Sequence, residues 1–139
     1  MSYNEETWRR YVLAYDIEVK QEDVEEELYI IKQDMKHRMI YDQMSGGEMH
    51  PFPDMELEEQ KDALLEAAVF EVKEPLVLKD LTKKLGITVT PEELLAEGEA
   101  IAKRQNSTLD EVKRFFGKDL AFLERDVREN KIREWACEQ

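Results

Sequence analysis

The side chains best suited to chemistry in this chain are two histidines and one cysteine, and their spacing assembles no known reactive arrangement. His37 and His50 lie 13 residues apart, and neither has a second His or Cys at metal-ligand spacing. Cys137 has no evident neighbouring base, so neither Cys–His nor Ser–His–Asp chemistry is indicated. Residues 45–47, Ser-Gly-Gly, lack the Lys-Ser/Thr that follows the glycines of a phosphate-binding loop. We therefore expect no enzyme activity, no catalytic residue, no metal ligand and no cofactor.

Methionine is the other informative residue type, because all five methionines after the initiator lie between positions 35 and 55. Its thioether side chain is flexible and polarisable, and it is over-used on surfaces that must fit many partners. The candidate residues for contact with varied polypeptide clients are Met35, Met39, Met44, Met49, Phe52 and Met55. The alternative is that these side chains fill gaps in a core or pack a dimer interface. Met49, Phe52 and Met55 support client contact most, because they lie in or beside a predicted loop.

Composition indicates a helical protein and argues against several classes of partner. The 139 residues are 38% charged and include only 5 Gly and 4 Pro, so helix formers dominate. A net charge of −13 disfavours binding to nucleic acid or to an anionic membrane surface. No apolar run approaches the roughly 18 residues of a membrane-spanning helix, and the N-terminus has no signal-peptide pattern. The single cysteine fits a reducing cytoplasm, so we expect a cytoplasmic protein.

Apolar periodicity predicts six helices. Their expected bounds are residues 5–14, 21–44, 55–85, 91–105, 109–116 and 118–135. Pro75 lies inside the third helix and predicts a kink or break just before it. A shared apolar stripe predicts that the last two helices are nearly coaxial despite Gly117.

The second and third helices predict a long antiparallel hairpin, because a loop of about ten residues joins them. The second helix carries one apolar stripe at spacings of three and four, formed by Val24, Leu28, Ile31, Met35 and Met39. A hairpin buries only one stripe on each helix. The remaining apolar side chains must therefore contact other helices, a second subunit or an unfolded polypeptide.

The clearest local signal is a helix–link–helix corner around residue 88. Gly86 suits the left-handed position that ends a helix, and Ile87 and Val89 alternate along an extended link. Thr90 suits the N-cap and Pro91 the first position of the next helix. The sequence therefore places a helix end, a short link and a helix start within a few residues.

A similar corner occurs 70 residues earlier, where Ile17 and Val19 occupy the positions of Ile87 and Val89. Two copies are too few for a solenoid, which needs three or more. They suggest two helical arms built on similar corners, and chance similarity is the alternative.

A succession of motifs spans residues 76–135. An apolar helix precedes the corner at 87–93, and a helix containing Ile101 and Ala102 follows it. Residues 108–112, Thr-Leu-Asp-Glu-Val, introduce a short helix, and the last long helix ends in residues 131–135. This succession resembles the C-terminal domain of bacterial trigger factor, which is shared in outline with the periplasmic chaperone SurA.

The resemblance implies an all-α, elongated single domain over residues 1–139, with a long helical hairpin arm that helps to line a cradle for nascent polypeptides. It implies an ATP-independent chaperone or peptide-binding module that holds unfolded or nascent polypeptides, with no nucleic-acid or membrane partner. The alternative from another class is a structural or assembly protein that uses the same apolar surface as a permanent homodimer interface.

Two parts of a full trigger factor have no counterpart in this sequence, namely the ribosome-docking loop and the prolyl-isomerase domain. Neither ribosome docking nor isomerase activity is therefore carried over. The opening Met-Ser-Tyr-Asn resembles a natural start, so we expect a stand-alone protein rather than an excised domain.

Overall fold

A computed structural model describes residues 3–139, and all the regular secondary structure in that range is helical. The α-helices are α1 (Glu5–Ala14), α2 (Gln21–Met44), α3 (Pro53–Glu59), α4 (Lys61–Leu85), α5 (Pro91–Arg104), α6 (Leu109–Phe116) and α7 (Glu124–Cys137), with a 3₁₀ turn at Ala121–Leu123. The predicted all-α class is confirmed. Helices α1, α2 and α6 have the predicted bounds, and α5 ends one residue earlier than expected.

The predicted third helix is in fact two helices, α3 and α4, separated at Gln60. No glycine or proline marks this interruption, so local signals do not place it. The predicted break at Pro75 is wrong, because α4 continues through it. Proline removes the helical partner of the Glu71 carbonyl, but both residues are exposed and water can hydrogen-bond that carbonyl.

The last two predicted helices do not form one continuous rod. Gly117 has φ +92° and Leu120 has φ +60°, so the backbone leaves the helical region twice between α6 and the 3₁₀ turn. The Asp119 carboxylate accepts a hydrogen bond of 3.1 Å from the Ala121 N–H and caps that turn. The apolar residues of the predicted stripe still pack against one another in one core, but the chain bends between α6 and α7.

The chain divides into two compact units. The first, which we call the terminal unit, contains residues 3–11 and 78–139. The second, which we call the hairpin unit, contains residues 12–77. Single-domain organisation over residues 1–139 stays a prediction.

In the hairpin unit, α2 packs against α3 and the start of α4 around a small apolar core. Met39, Leu57 and Leu64 are buried, and Leu28, Ile31 and Met35 pack against them. These contacts place the predicted α2 stripe inside the hairpin. Elsewhere in this unit the buried Lys73 donates a hydrogen bond of 2.8 Å from Nζ to the Leu13 carbonyl in the last turn of α1. A cation at a helix C-terminus stabilises carbonyls that lack an intrahelical partner.

In the terminal unit, α5, α6, the 3₁₀ turn and α7 share a core of five buried residues. These are Ala102, Val112, Leu120, Leu123 and Val127. Gly98 on α5 lies so close to this core that an added Cβ would be 2.6 Å from Leu120 Cδ1 and 3.1 Å from Leu109 Cδ1. A larger residue at this position would therefore displace the two leucine side chains.

The two ends of the chain meet in the terminal unit through aromatic side chains. The ring of Tyr11 stacks on Trp8 at 5.9 Å and meets Trp135 edge to face at 6.4 Å. The Arg133 guanidinium lies 5.8 Å from the ring centres of both Trp8 and Tyr3. Such cation–π and aromatic pairs fasten the first residues of α1 to the last helix.

The predicted corner has the expected geometry. The Glu93 N–H donates to Thr90 Oγ1 at 3.2 Å, and the Thr90 N–H donates to Glu93 Oε1 at 3.0 Å, which is a complete capping box. Gly86 has φ +59°, as a helix-ending glycine should. The Thr108 side chain also caps α6, because its hydroxyl accepts a hydrogen bond of 3.3 Å from the Glu111 N–H.

The two corners also correspond in the structure. Helices α2 and α5 begin 70 residues apart, at Gln21 and Pro91. Residues 15–20 and 85–90 show the same alternation of half-buried and exposed side chains, position by position. The two links differ at two positions, because Gly86 has positive φ whereas Asp16 does not, and Thr90 caps its helix through its side chain whereas Lys20 does not. The correspondence therefore extends to the pattern of burial, which supports similar arms.

Candidate functional site

The predicted client-binding residues fall into two groups in the structure. Met35 and Met39 face the hairpin core, and Met39 is only 8% exposed. For these two side chains the core-packing alternative describes what the structure shows. Their binding to a client stays a prediction that the observed packing does not favour.

The other four predicted residues are strongly exposed. Met44, Met49, Phe52 and Met55 are between 63% and 83% accessible. They lie at the end of α2, in the following loop and at the start of α3, and we call residues 41–56 the hairpin tip. Large apolar side chains exposed together on a monomer are typical of interaction surfaces.

Hydrogen bonds to two backbone carbonyls hold the loop of the hairpin tip against the end of α2. The Gly47 N–H donates to the Asp42 carbonyl at 2.8 Å, and Gln43 Nε2 donates to the His50 carbonyl at 2.9 Å. Gly46 has φ +79°, a conformation that glycine adopts without strain. A Cβ at Gly47 would lie 2.9 Å from the Asp42 backbone carbonyl oxygen, so a larger residue here would shift the turn. The exposed apolar side chains are therefore carried by a closed turn.

Charged side chains also contact one another in and beside the hairpin tip. His50 Nδ1 lies 2.9 Å and 3.1 Å from the two carboxylate oxygens of Glu56, and its Nε2 lies 3.4 Å from Asp42 Oδ2. The hydrogen bond to Glu56 raises the pKa of His50, partial burial opposes this, and Asp42 adds to the rise. An ion pair of 2.7 Å between Lys36 and Asp54 joins α2 to α3 nearby. These contacts fix the loop relative to both helices.

An open cleft with a volume of about 720 Å³ lies beside this turn. Its lining combines Met35, Met39 and Tyr41 with polar residues, among them Glu48 and His50.

The corner in the terminal unit has a structural role. Lys131 Nζ on α7 donates to the Thr88 carbonyl at 2.6 Å and to Glu93 Oε1 at 2.9 Å. The bond from Lys131 lowers the pKa of Glu93, and the bond from the Thr90 backbone lowers it further. Glu93 thus completes the helix cap and anchors α7 with one carboxylate.

Sequence reasoning missed several exposed apolar residues. Phe115 and Phe122 in the terminal unit are 83% and 75% exposed, and α2 exposes Tyr29, Ile30, Ile40 and Tyr41 outside its buried stripe. The available signal was helical periodicity, since Ile40 and Tyr41 fall off the stripe that ends at Met39. Sequence reasoning also missed the approach of Asp42 and Glu48 to His50, which depends on the fold of the Gly46–Gly47 turn.

Comparison with known families identifies this architecture. The family described as bacterial trigger factor protein C-terminus matches residues 4–138. The chain belongs to the trigger factor C-terminal family. The resemblance predicted from the motifs is therefore confirmed, and it extends over essentially the whole chain.

The trigger factor C-terminal family is a chaperone family rather than an enzyme family. No curated protein and no solved structure gives a significant match to this chain. Among the described residues, none of the helices combines the length and hydrophobicity that crossing a membrane requires.

Proposed function

We propose that this trigger factor C-terminal protein is an ATP-independent chaperone that holds unfolded or nascent polypeptides in the cytoplasm. The observation that carries the proposal is the exposure of Met44, Met49, Phe52 and Met55 together at the hairpin tip. Their side chains contribute little to folding because they remain in water, so their apolar character suits a function outside the folded chain.

Physical chemistry supports holding as the mechanism. Unbranched thioether side chains can fit apolar segments of many shapes, which favours broad client selection over a specific complex. A net charge of −13 repels other copies of the chaperone and keeps a complex with an aggregation-prone client in solution. Neither step requires nucleotide hydrolysis.

The test measures how far the protein suppresses client aggregation. A chemically denatured client is diluted into buffer without nucleotide, and its aggregation is monitored by light scattering. We expect suppression at near-stoichiometric ratios. A variant with all four tip residues changed to Ser should suppress much less while keeping its melting temperature, because exposed side chains contribute little to stability.

The matched control changes Phe115 and Phe122 to Ser, since these are equally exposed apolar residues in the terminal unit. Suppression unchanged by this control but lost in the tip variant would support the tip as the client surface. No suppression by the parent protein at several-fold excess would exclude the holding function.

The second candidate function is assembly through a permanent homodimer, because the same exposed tip residues could pair with a second copy. Sedimentation of the parent and the tip variant distinguishes the two functions. A dimeric parent that becomes a monomer with a lower melting temperature would favour the assembly function over client holding.

A further inference from the structure

The hairpin tip brings together three side chains whose spacing in sequence gave no metal-binding signal. One ligand atom from each of Asp42, Glu48 and His50 lies within 4.8 Å of the other two. Asp42 is in the last turn of α2, and the other two residues follow in the loop. The turn at Gly46–Gly47 folds the loop back along the helix and so creates this arrangement.

The distance between Asp42 and His50 is long for a direct hydrogen bond and is compatible with a shared metal. Their atoms Oδ2 and Nε2 are 3.4 Å apart. A charge-assisted N–H···O bond is normally about 2.7–2.9 Å long. Two ligands that are each about 2.1 Å from a tetrahedral Zn²⁺ lie about 3.4 Å from one another. The gap therefore has the size that a tetrahedral cation needs.

The orientation of the His50 ring also suits metal binding. Nδ1 lies 2.9 Å from a Glu56 carboxylate oxygen, and Nε2 is the ring nitrogen that faces Asp42. The side chain is only 13% exposed, so surrounding atoms hold the ring in place. A carboxylate that binds the far nitrogen of a ligating histidine fixes its tautomer and raises its basicity. Glu56 is placed to do this.

We propose that Asp42, Glu48 and His50 bind a divalent transition-metal ion, with Zn²⁺ as the best match and Glu56 as the residue that orients the imidazole. One imidazole and two carboxylates suit Zn²⁺ better than Mg²⁺ or Ca²⁺, which take oxygen ligands. Glu48 is exposed, so its carboxylate can rotate toward the ion, and a fourth position remains open to water.

This inference goes beyond the proposed chaperone function and does not depend on it. The bound ion would connect the end of α2 to the loop that carries Met49 and Phe52. Binding of the ion would make this loop stiffer, and a metal titration detects that binding whether or not the protein binds clients.

The experiment is a Zn²⁺ titration of the full chain, free of any affinity tag, in competition with a chromophoric chelator at about pH 8, where fewer protons compete with the metal for its ligands. We expect one saturable site per chain and a rise in melting temperature at saturating Zn²⁺, because a ligand that binds the folded state stabilises it. His50→Ala should raise the Kd at least about ten-fold, and Glu56→Gln about 10–100-fold.

Two further variants make the result decisive. Glu48→Gln alters an exposed side chain, so it should weaken Zn²⁺ binding without unfolding the protein. His37→Ala removes the other histidine of the same cleft and should leave the Kd unchanged. Absence of a saturable site, or a site insensitive to His50→Ala and Glu48→Gln, would overturn the proposal. An equal loss of Zn²⁺ affinity in His37→Ala would also overturn the proposal, because such a loss would indicate diffuse binding along the cleft.

Discussion

Replacement of Gly98 by alanine tests the packing of the terminal unit, because two opposing effects predict different signs. In an exposed helix, Gly→Ala normally stabilises by up to about 1 kcal/mol. Here the new Cβ would lie 2.6 Å from Leu120 and 3.1 Å from Leu109, both closer than the roughly 3.5–4.0 Å of a normal carbon contact. Leu120 is 2% exposed, so a shift of its side chain would displace other atoms of the core. Overpacking costs about 1–3 kcal/mol, so we expect a net loss of about 1 kcal/mol.

Urea unfolding, monitored by tryptophan fluorescence, measures this loss of stability directly. Trp8 and Trp135 both lie in the terminal unit, as does Gly98, so the signal reports on the unit that is altered. The variant Ala100→Gly, at an exposed position of the same helix, measures the effect of helix propensity without a change in core packing. Adding Leu120→Ala to Gly98→Ala should cost less than the sum of the two single changes, because it removes the clash. A Gly98→Ala variant more stable than the parent would refute the close-packing argument.

Three other predictions concern single side chains. The lowered pKa of Glu93 means that its ionised form adds stability at neutral pH, which is lost as the pH falls through the folded-state pKa. The stability gap between the parent and Glu93→Gln should therefore narrow in acid, and a gap independent of pH would contradict this. Lys73→Met should lower the free energy of unfolding by about 1–3 kcal/mol in denaturant melts, because the Leu13 carbonyl loses a charged donor. A Lys73→Met variant as stable as the parent would show that this hydrogen bond does not stabilise the fold. Val19→Ala and Val89→Ala should each cost about 1 kcal/mol in the same assay, since both side chains are half-buried. A loss of stability in only one of these two variants would show that the corners are not equivalent.

Sequence predicted what depends on neighbouring residues along the chain. The cap at Thr90, the left-handed Gly86 and the start of α2 all follow from contacts within one helical turn, and each is observed. The apolar stripe of α2 likewise contained the information that Met35 and Met39 face inward, although residue type alone suggested client contact.

Features that depend on distant packing could not be predicted. The interruption at Gln60 has no glycine or proline, and the continuation of α4 through Pro75 overrides a strong local signal. The approach of Asp42 to His50 requires the full geometry of the loop, including the positive φ of Gly46. Such contacts between side chains across a turn are set by the turn's dihedral angles rather than by residue spacing.

The division of the methionines into buried and exposed groups has a consequence for oxidation. Methionine is converted reversibly to its sulfoxide, which is polar, and exposed thioethers react first. Met44, Met49 and Met55 are open to peroxide, whereas Met39 is shielded by the hairpin core. Mild oxidation would therefore make the hairpin tip polar while leaving the packing beneath it intact, and reduction would restore the apolar surface.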